Sequence, residues 1–298
     1  MTDKPKLARR VYAENAARAV LREMQITGLY VDPAAIAQSK GIVVQGKPGD
    51  VDGVSGMLVK AGDNFGIMYA TNIPSEGFQR FSIAHEIGHY CIGGHVDALL
   101  TAGMHVSRAG FRSGDPYEQE ADFFAAALLM PETAFRRAID DHPAGLGVID
   151  ALSKECVTSI TACGIRYSGL TRDAVAIISS IGQTVDWCFM SDALKAAEGL
   201  KWLRKGASVP GGTLTETFNA SPENVRIGKR DAAEGNLRDW FDTNRNYSCT
   251  EEVAGLGQYG RTLTVLTCRT LSASNDEVAD EDDEEALIES WTPRFKSK

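Results

Sequence analysis

Two histidines four residues apart lie in the segment FSIAHEIGHY, residues 81–90, with Glu86 directly after the first of them. Residues four apart lie on one face of an α-helix, so His85 and His89 can direct ring nitrogens at one metal ion. Glu86 then lies near the open coordination position, where a carboxylate can take a proton from water and pass it to a leaving amine. The pattern predicts a catalytic Zn²⁺ site with two histidine ligands and Glu86 as general base.

A catalytic zinc site needs a third protein ligand, and the residues alone offer three candidates. Glu118 stands four residues before Asp122 in EQEAD, so their carboxylates share a helical face, and Asp122 could orient a ligating histidine through its second ring nitrogen. Glu120 is turned about 200° from Glu118 on the same helix. His95 is the alternative metal ligand, since HEIGHYCIGGH has the overall spacing of the metzincin zinc motif, although Ile92 replaces a glycine of that motif.

Helices are predicted around both groups of candidate ligands. One should run from about Ser75 through Cys91 and carry the two histidines. Another should begin at Asp115 and Pro116 and end at Pro131, with alanines that allow a close approach to the first helix. The segment between them, 93–116, is rich in Gly, His and Ser and is predicted to be a loop or flap. His105 and His142 show no ligand spacing and are expected to be ordinary surface residues.

The remaining pattern predicts an α+β chain of two domains and a tail. A first domain of helices and a small sheet, which carries the candidate zinc ligands, is expected over 1–165, from helical patterns at 8–26, 33–40, 133–140 and 147–155 and a hairpin within 51–70. A smaller mixed α/β domain is expected over 168–272, with strands AVAIISS and VDWCFMS and a helix over 191–205. Residues 273–298 are expected to be an acidic, disordered tail.

Charge and composition narrow the classes of function. The formal net charge of −9 equals the charge of nine acidic residues between 276 and 290, so the rest of the chain is neutral and no direct nucleic-acid binding is expected. No apolar run is long enough for a membrane span, and the N-terminal residues lack the features of a secretory signal. Six scattered cysteines without a C-x-x-C pair indicate a reduced, cytoplasmic protein.

The segment HEIGH, followed about thirty residues later by EQEADFFAAALLMP, resembles the ImmA/IrrE metallopeptidase family. The resemblance covers about 10–140 and implies zinc ligands at His85, His89 and Glu118, with Glu86 as general base. It also implies a function in transcription regulation and stress response, because family members often cleave helix-turn-helix repressors and so derepress genes. The chain shows no fused helix-turn-helix, so the repressor is expected to be a separate protein.

Two hypotheses of different class follow. The first is a zinc metalloendopeptidase whose partner is a protein substrate, a helix-turn-helix repressor. The alternative is a zinc-containing binding module that neutralises a repressor or toxin by contact, without proteolysis. Glu86 distinguishes them, since a carboxylate beside the metal has a role in catalysis and none in a purely structural site. The domain at 168–272 is interpreted by analogy as regulatory or substrate-docking.

Overall fold

The computed structural model describes residues 7–47, 54–73, 75–101, 103–108 and 114–272. These residues form two compact units, the first from 7–137 with 152–162 and the second from 138–151 with 163–272. Each unit has its own sheet and its own hydrophobic core, which confirms the prediction of a chain that mixes helices and sheets. The acidic segment predicted at 273–298 lies outside the described residues.

A four-stranded sheet underlies the first unit, in the order β1-β3-β2-β4. The predicted hairpin is present as two antiparallel strands that pair Gly56 with Tyr69 at one end and Ala61 with Asn64 at the other. The first strand, which the sequence analysis missed, is parallel to the third, and the last strand pairs antiparallel with the second. The strands are β1 (Ile42–Lys47), β2 (Val54–Ala61), β3 (Asn64–Ala70) and β4 (Met104–Arg108).

Side-chain caps fix where the helices of the first unit begin. Asp32 accepts hydrogen bonds from the backbone N–H groups of Ala34 and Ala35, and Asp115 accepts one from that of Tyr117, so each helix begins at the proline that follows its cap. Ser75 caps the helix that carries the two histidines. These helices are α1 (Arg10–Glu23), α2 (Pro33–Ser39), α3 (Glu76–Cys91), α4 (His95–Leu99) and α5 (Pro116–Leu129).

Helices α3 and α5 pack closely because one has a glycine where the other has an alanine. A Cβ atom on Gly88 would lie 3.2 Å from the Cα of Ala121 and 3.1 Å from the ring of Phe124. Ile83 and Ile87 of α3 join Phe124 of α5 in the first core, which the sheet completes. The close approach expected from the alanines is therefore present, and it brings the HEIGH and EQEAD segments face to face.

The expectation of a loop or flap over 93–116 is wrong for much of its length. Gly94 adopts a left-handed conformation, φ +91°, which turns the chain back after α3 and starts the short helix α4. Strand β4 then pairs with β2, from Val59 opposite Met104 to Val54 opposite Arg108. The sequence analysis did not predict this strand because the segment is rich in Gly and His and because its pairing partner lies in a distant hairpin.

The second unit is built on a five-stranded antiparallel sheet in the order β6-β5-β9-β8-β7. Strand β5, which lies between β6 and β9, is buried along nearly its whole length, since side chains cover both faces. On one face, Ile178 packs with Leu266, Trp240 and Phe241. The strands are β5 (Asp173–Ile181), β6 (Thr184–Met190), β7 (Arg230–Asn236), β8 (Ser248–Gly255) and β9 (Thr262–Ser272).

The helices after α5 follow the sequence analysis in part. The helices α6 (Glu132–Asp140) and α7 (Leu146–Glu155) are present where helical segments were predicted, and α8 (Ile160–Leu170) occupies a stretch that the pattern left unassigned. The boundaries between the two units fall within these three helices. The second unit also contains four short helices, α9 (Asp192–Lys195), α10 (Leu214–Asn219), α11 (Pro222–Arg226) and α12 (Leu237–Phe241).

The helix predicted over 191–205 is wrong beyond its first turn. Ser191 does cap it, accepting a hydrogen bond from the N–H of Leu194, but α9 ends at Lys195. Gly199 has φ +77°, a left-handed conformation in which a helix cannot continue. Leu200 and Leu203 instead pack against the core of the unit from an irregular segment. Tertiary burial therefore outweighs the local helical preference.

Two further expectations bear on the class of protein. No helix in the described part of the chain is long and apolar enough to span a bilayer. All six cysteines are free thiols, and five of them are buried, as expected when cysteine acts as a small apolar side chain.

Candidate metal centre

His85 and His89 lie one turn apart on α3 and point to the same place. Both are buried, and their Nε2 atoms are 3.0 Å apart. Two imidazole nitrogens this close can share one proton or one metal ion between them. The helical spacing read from the sequence therefore produces the pair of candidate ligands that it predicted.

Glu118 approaches this pair from the first turn of α5. Its Oε2 is 3.5 Å from Nε2 of His85, and its Oε1 is 3.5 Å from Nε2 of His89. Ligand atoms bound tetrahedrally at about 2.0–2.1 Å from zinc lie roughly 3.3 Å from one another. The three observed separations, 3.0, 3.5 and 3.5 Å, match this spacing, so the residues present fit a tetrahedral ion with one position left over.

Asp122 orients the imidazole of His85 through a hydrogen bond to its Nδ1 atom. Its Oδ1 lies 2.8 Å from Nδ1 of His85, and a carboxylate can only accept there, so Nδ1–H donates. A proton on Nδ1 leaves the Nε2 lone pair free in the neutral ring, directed at the same point as Glu118. Asp122 thus takes the position expected from its spacing, four residues after Glu118 on one helical face.

His95 and Glu120, the other two candidate ligands, lie outside the converging group. Nδ1 of His95 is 3.1 Å from Nδ1 of His89, and its Nε2 is 3.0 Å from Oε2 of Glu120. Glu120 points away from Glu118, as the 200° rotation predicted. Glu120 is fully buried and forms an ion pair with Arg9.

Glu86 is fully buried beside the converging ligands, and neither of its carboxylate oxygens has a hydrogen-bond partner among the described residues. Burial raises the pKa of Glu86 to about 7, against the opposing effect of nearby His85. A buried carboxylate without partners is costly to keep. Such a group is explained by a metal centre whose bound water would give it a hydrogen bond.

Strand β4 contributes two residues to the site: His105, for which the expectation of an ordinary surface residue is wrong, and Ser107, which the sequence analysis missed. Nε2 of His105 donates to Oε1 of Glu118 at 2.7 Å, and the ring centroid of His105 is 4.6 Å from that of His89. Ser107, two residues further along the strand, is buried on the same side. The pairing of β4 with β2 brings His105 beside Glu118. The number of residues between His105 and the HEIGH motif does not predict this contact.

The charges of the ligand cluster are strongly coupled. Burial disfavours the charged form of His85, but its contacts with Asp122 and Glu118 outweigh this and raise its pKa well above the usual value. Burial, followed by the charge of His85, lowers the pKa of His89 well below its usual value. Burial also opposes ionisation of Glu118, yet hydrogen bonds with His105 and His85 hold its pKa well below normal. The cluster therefore offers an ionised carboxylate and a neutral imidazole, and a metal ion would displace the proton on His85.

Comparison with known proteins relates the part of the chain that carries this site to a peptidase family. Residues 37–148 match the sequence profile of the peptidase M78 family, described as an IrrE N-terminal-like domain. The match contains both helices of the candidate centre and strand β4. It confirms the resemblance to the ImmA/IrrE family over these 112 of the 298 residues.

The fold has relatives among solved structures. Eleven chains match, and one of them, described as a Mycobacterium tuberculosis transcriptional regulator, superposes with a TM-score of 0.56 at 17% sequence identity. The superposition covers 88% of this chain and 77% of that one, so the two share a fold. No curated protein sequence matches the chain.

Proposed function

We propose that the chain is a zinc-dependent endopeptidase that cleaves a separate helix-turn-helix transcriptional repressor and so derepresses its genes. One observation carries this: ligand atoms of His85, His89 and Glu118 lie within 4.8 Å of one another, and the carboxylate of Glu86 is buried beside them. A purely structural zinc site has four protein ligands and gives no role to such a carboxylate.

Zinc is proposed because of the donor set. Two neutral imidazole nitrogens and one carboxylate oxygen are a known ligand set of catalytic zinc, whereas magnesium and calcium prefer oxygen ligands alone. His85, His89 and Glu118 would hold the ion, and Asp122 would keep the first of these rings in the tautomer that can bind it.

When bound, the ion would polarise the scissile carbonyl of a peptide and acidify a water molecule. Glu86 would accept the proton of that water on its carboxylate and deliver it to the leaving amine. Gly56, whose backbone lies against the carboxylate, leaves the space in which Glu86 sits.

The proposed roles of the two domains follow from this assignment. A zincin-like fold over 1–165 is supported by a mixed sheet whose edge strand, β4, directs His105 at the ligand helices. The domain at 168–272 is proposed to be regulatory or to dock the substrate. The neutral charge of the chain outside its acidic C-terminal segment favours a protein partner over nucleic acid.

The repressor as substrate, together with a cytoplasmic stress response, rests on the family resemblance. The experiment that tests it compares protein N-termini across the host proteome, with the wild type and Glu86→Gln expressed at equal levels. New N-termini that appear only with the wild type, within one DNA-binding protein, would support the cleavage and identify the substrate.

The contrary result is equally clear. If both proteins bind zinc and no N-terminus differs under several stresses, while repression is relieved by both, the chain acts by contact and not by proteolysis. Glu86→Gln is a matched control because the amide keeps the shape of the side chain and removes only its ability to accept a proton.

A further inference from the structure

A chain of hydrogen bonds runs from the start of α1 to the candidate ligand His89. Nε and Nη2 of Arg9 donate to the two oxygens of Glu120, each at 2.9 Å, and the backbone N–H of Arg9 donates to Oε1 at 3.0 Å. Oε2 of Glu120 is also 3.0 Å from Nε2 of His95. Nδ1 of His95 is in turn 3.1 Å from Nδ1 of His89. Four residues from four separate elements are thus connected end to end.

The direction of these bonds follows from the carboxylate. Glu120 can only accept, so Nε2–H of His95 donates to it. A neutral His95 then has its lone pair on Nδ1, and Nδ1–H of His89 donates to that lone pair. The remaining nitrogen of His89, Nε2, is left with a free lone pair toward His85 and Glu118, which is the form that can bind a metal ion.

The three side chains of this hydrogen-bonded chain that lie nearest the candidate metal centre are buried. His95 and Glu120 are both 0% exposed, and His89 is 1% exposed. A buried carboxylate is costly unless it is paired and hydrogen-bonded, and Arg9 supplies a bidentate partner together with a backbone donor. Arg9 itself is 45% exposed at its side chain, so it joins the buried chain to the protein surface.

We propose that Arg9, Glu120 and His95 are positioning residues that fix the tautomer and the orientation of His89 for metal binding. The two candidate histidine ligands would then be held by different devices, His85 directly by Asp122 and His89 through this longer chain. Arg9 lies outside residues 37–148, so a residue beyond the matched peptidase domain completes the outer shell of its site. The inference rests on the zinc site of the proposed function.

The first test measures zinc affinity by competition with a chromophoric chelator. Arg9→Ala and Glu120→Gln should each weaken zinc binding roughly tenfold or more, as is usual when an outer-shell partner of a ligating histidine is lost. Arg9→Lys, which keeps the charge, should recover much of the affinity. The Co²⁺-substituted protein should show a changed visible absorption spectrum in the two weakened variants.

Arg18→Ala is the matched control. Arg18 lies on α1, the helix that Arg9 immediately precedes; it is 39% exposed at its side chain and pairs with Glu132 at 2.6 Å, away from the metal centre. Each alanine variant loses one ion pair to a distant segment, so a merely structural effect would lower their melting temperatures alike. Only Arg9→Ala should change zinc affinity.

A second readout needs no metal. With zinc removed by chelation, nitrogen-15 NMR of the five histidines should show His89 protonated on Nδ1 and His95 on Nε2 at a pH where both are neutral. In His95→Phe, His89 should lose its preference for Nδ1.

The outcomes separate this inference from the proposed function. If Arg9→Ala and Glu120→Gln bind zinc as tightly as the wild type does, the positioning role is overturned and the zinc site of the proposed function stands. His89 protonated on Nε2 in the wild type would also overturn it. A wild type that binds no zinc would contradict both.

Discussion

A Cβ atom added to Gly56 would lie 2.6 Å from Oε1 of Glu86, so the backbone of β2 forms one wall of the pocket that holds the candidate general base. Gly56→Ala should therefore displace the carboxylate without touching the metal ligands. We expect peptide cleavage to fall by at least tenfold, since small misplacements of a catalytic group are costly, while zinc affinity stays within about twofold. Steady-state kinetics and chelator competition measure the two quantities.

Gly66→Ala is the control for that substitution. Gly66 lies on the neighbouring strand β3, and an added Cβ there would make only an ordinary contact, 3.6 Å from the carbonyl oxygen of Val43. Its activity should match the wild type. Equal activity of Gly56→Ala and the wild type would show that Glu86 does not need its present position.

Asp122→Asn should weaken metal binding. The carboxylate that accepts from Nδ1 of His85 would be replaced by an amide of the same shape without charge, and such changes typically reduce metal affinity about 10-fold to 100-fold. Chelator competition measures the effect. Asp97→Asn, an exposed substitution on the nearby helix α4, should have no effect. Equal affinities of Asp122→Asn and the wild type would remove Asp122 from the centre.

Glu86 should make the stability of the chelator-treated protein depend on pH. Because burial raises its folded pKa to about 7, the unfolded chain releases the proton at lower pH than the folded chain. Folding stability should fall as pH rises from about 4.5 to about 7 and then level off, by an amount on the order of 3 kcal/mol. The melting temperature of Glu86→Gln should exceed that of the wild type by more at pH 8 than at pH 5.

A pH-independent difference between the two melting temperatures would contradict this assignment. The comparison requires complete removal of metal, because a bound cation would favour the charged carboxylate and reverse the trend.

Glu251 should be essential to the fold of the second unit and irrelevant to the metal centre. This buried carboxylate of β8 accepts hydrogen bonds from the backbone N–H of Thr215 at 2.8 Å and from its hydroxyl at 2.6 Å, and so holds the start of α10. Glu251→Ala leaves those buried donors without a partner, which should cost about 2–3 kcal/mol. Glu234→Ala, on the exposed strand β7, should cost little.

Urea unfolding followed by tryptophan fluorescence is suited to this comparison, because Trp187, Trp202 and Trp240 all belong to the second unit. Zinc affinity should be the same in both variants. A loss of zinc binding in Glu251→Ala would show that the metal centre depends on the second unit.

The sequence predicted the central parts of the candidate site because they are local. His85 and His89 are one helical turn apart, and Glu118 and Asp122 are one turn apart on a helix that a cap and a proline define. Residues one turn apart share a face of their helix whatever the tertiary arrangement is. The ligand-bearing faces of the two helices could therefore be identified without a structure. The apolar alanine run of α5 also indicated correctly that the two helices approach closely.

The parts that the sequence did not predict depend on contacts between distant segments. His105 comes beside Glu118 only because β4 pairs with β2, and nothing in MHVSR indicates that partner. The role of Arg9 likewise requires knowing that the start of α1 lies against Glu120, which is 111 positions away. The length of helix α9 was overestimated for the opposite reason. Its local sequence favours a longer helix, but Leu200 and Leu203 pack against the core from an irregular segment.

Zinc content per chain, measured by inductively coupled plasma mass spectrometry after dialysis, tests the central claim most directly. The wild type and Glu86→Gln should each retain about one zinc ion, whereas His85→Ala, His89→Ala and Glu118→Gln should retain far less. Circular dichroism would establish that all five proteins are folded. Zinc retained by Glu118→Gln, or absent from the folded wild type, would contradict a centre made of two histidines and this glutamate.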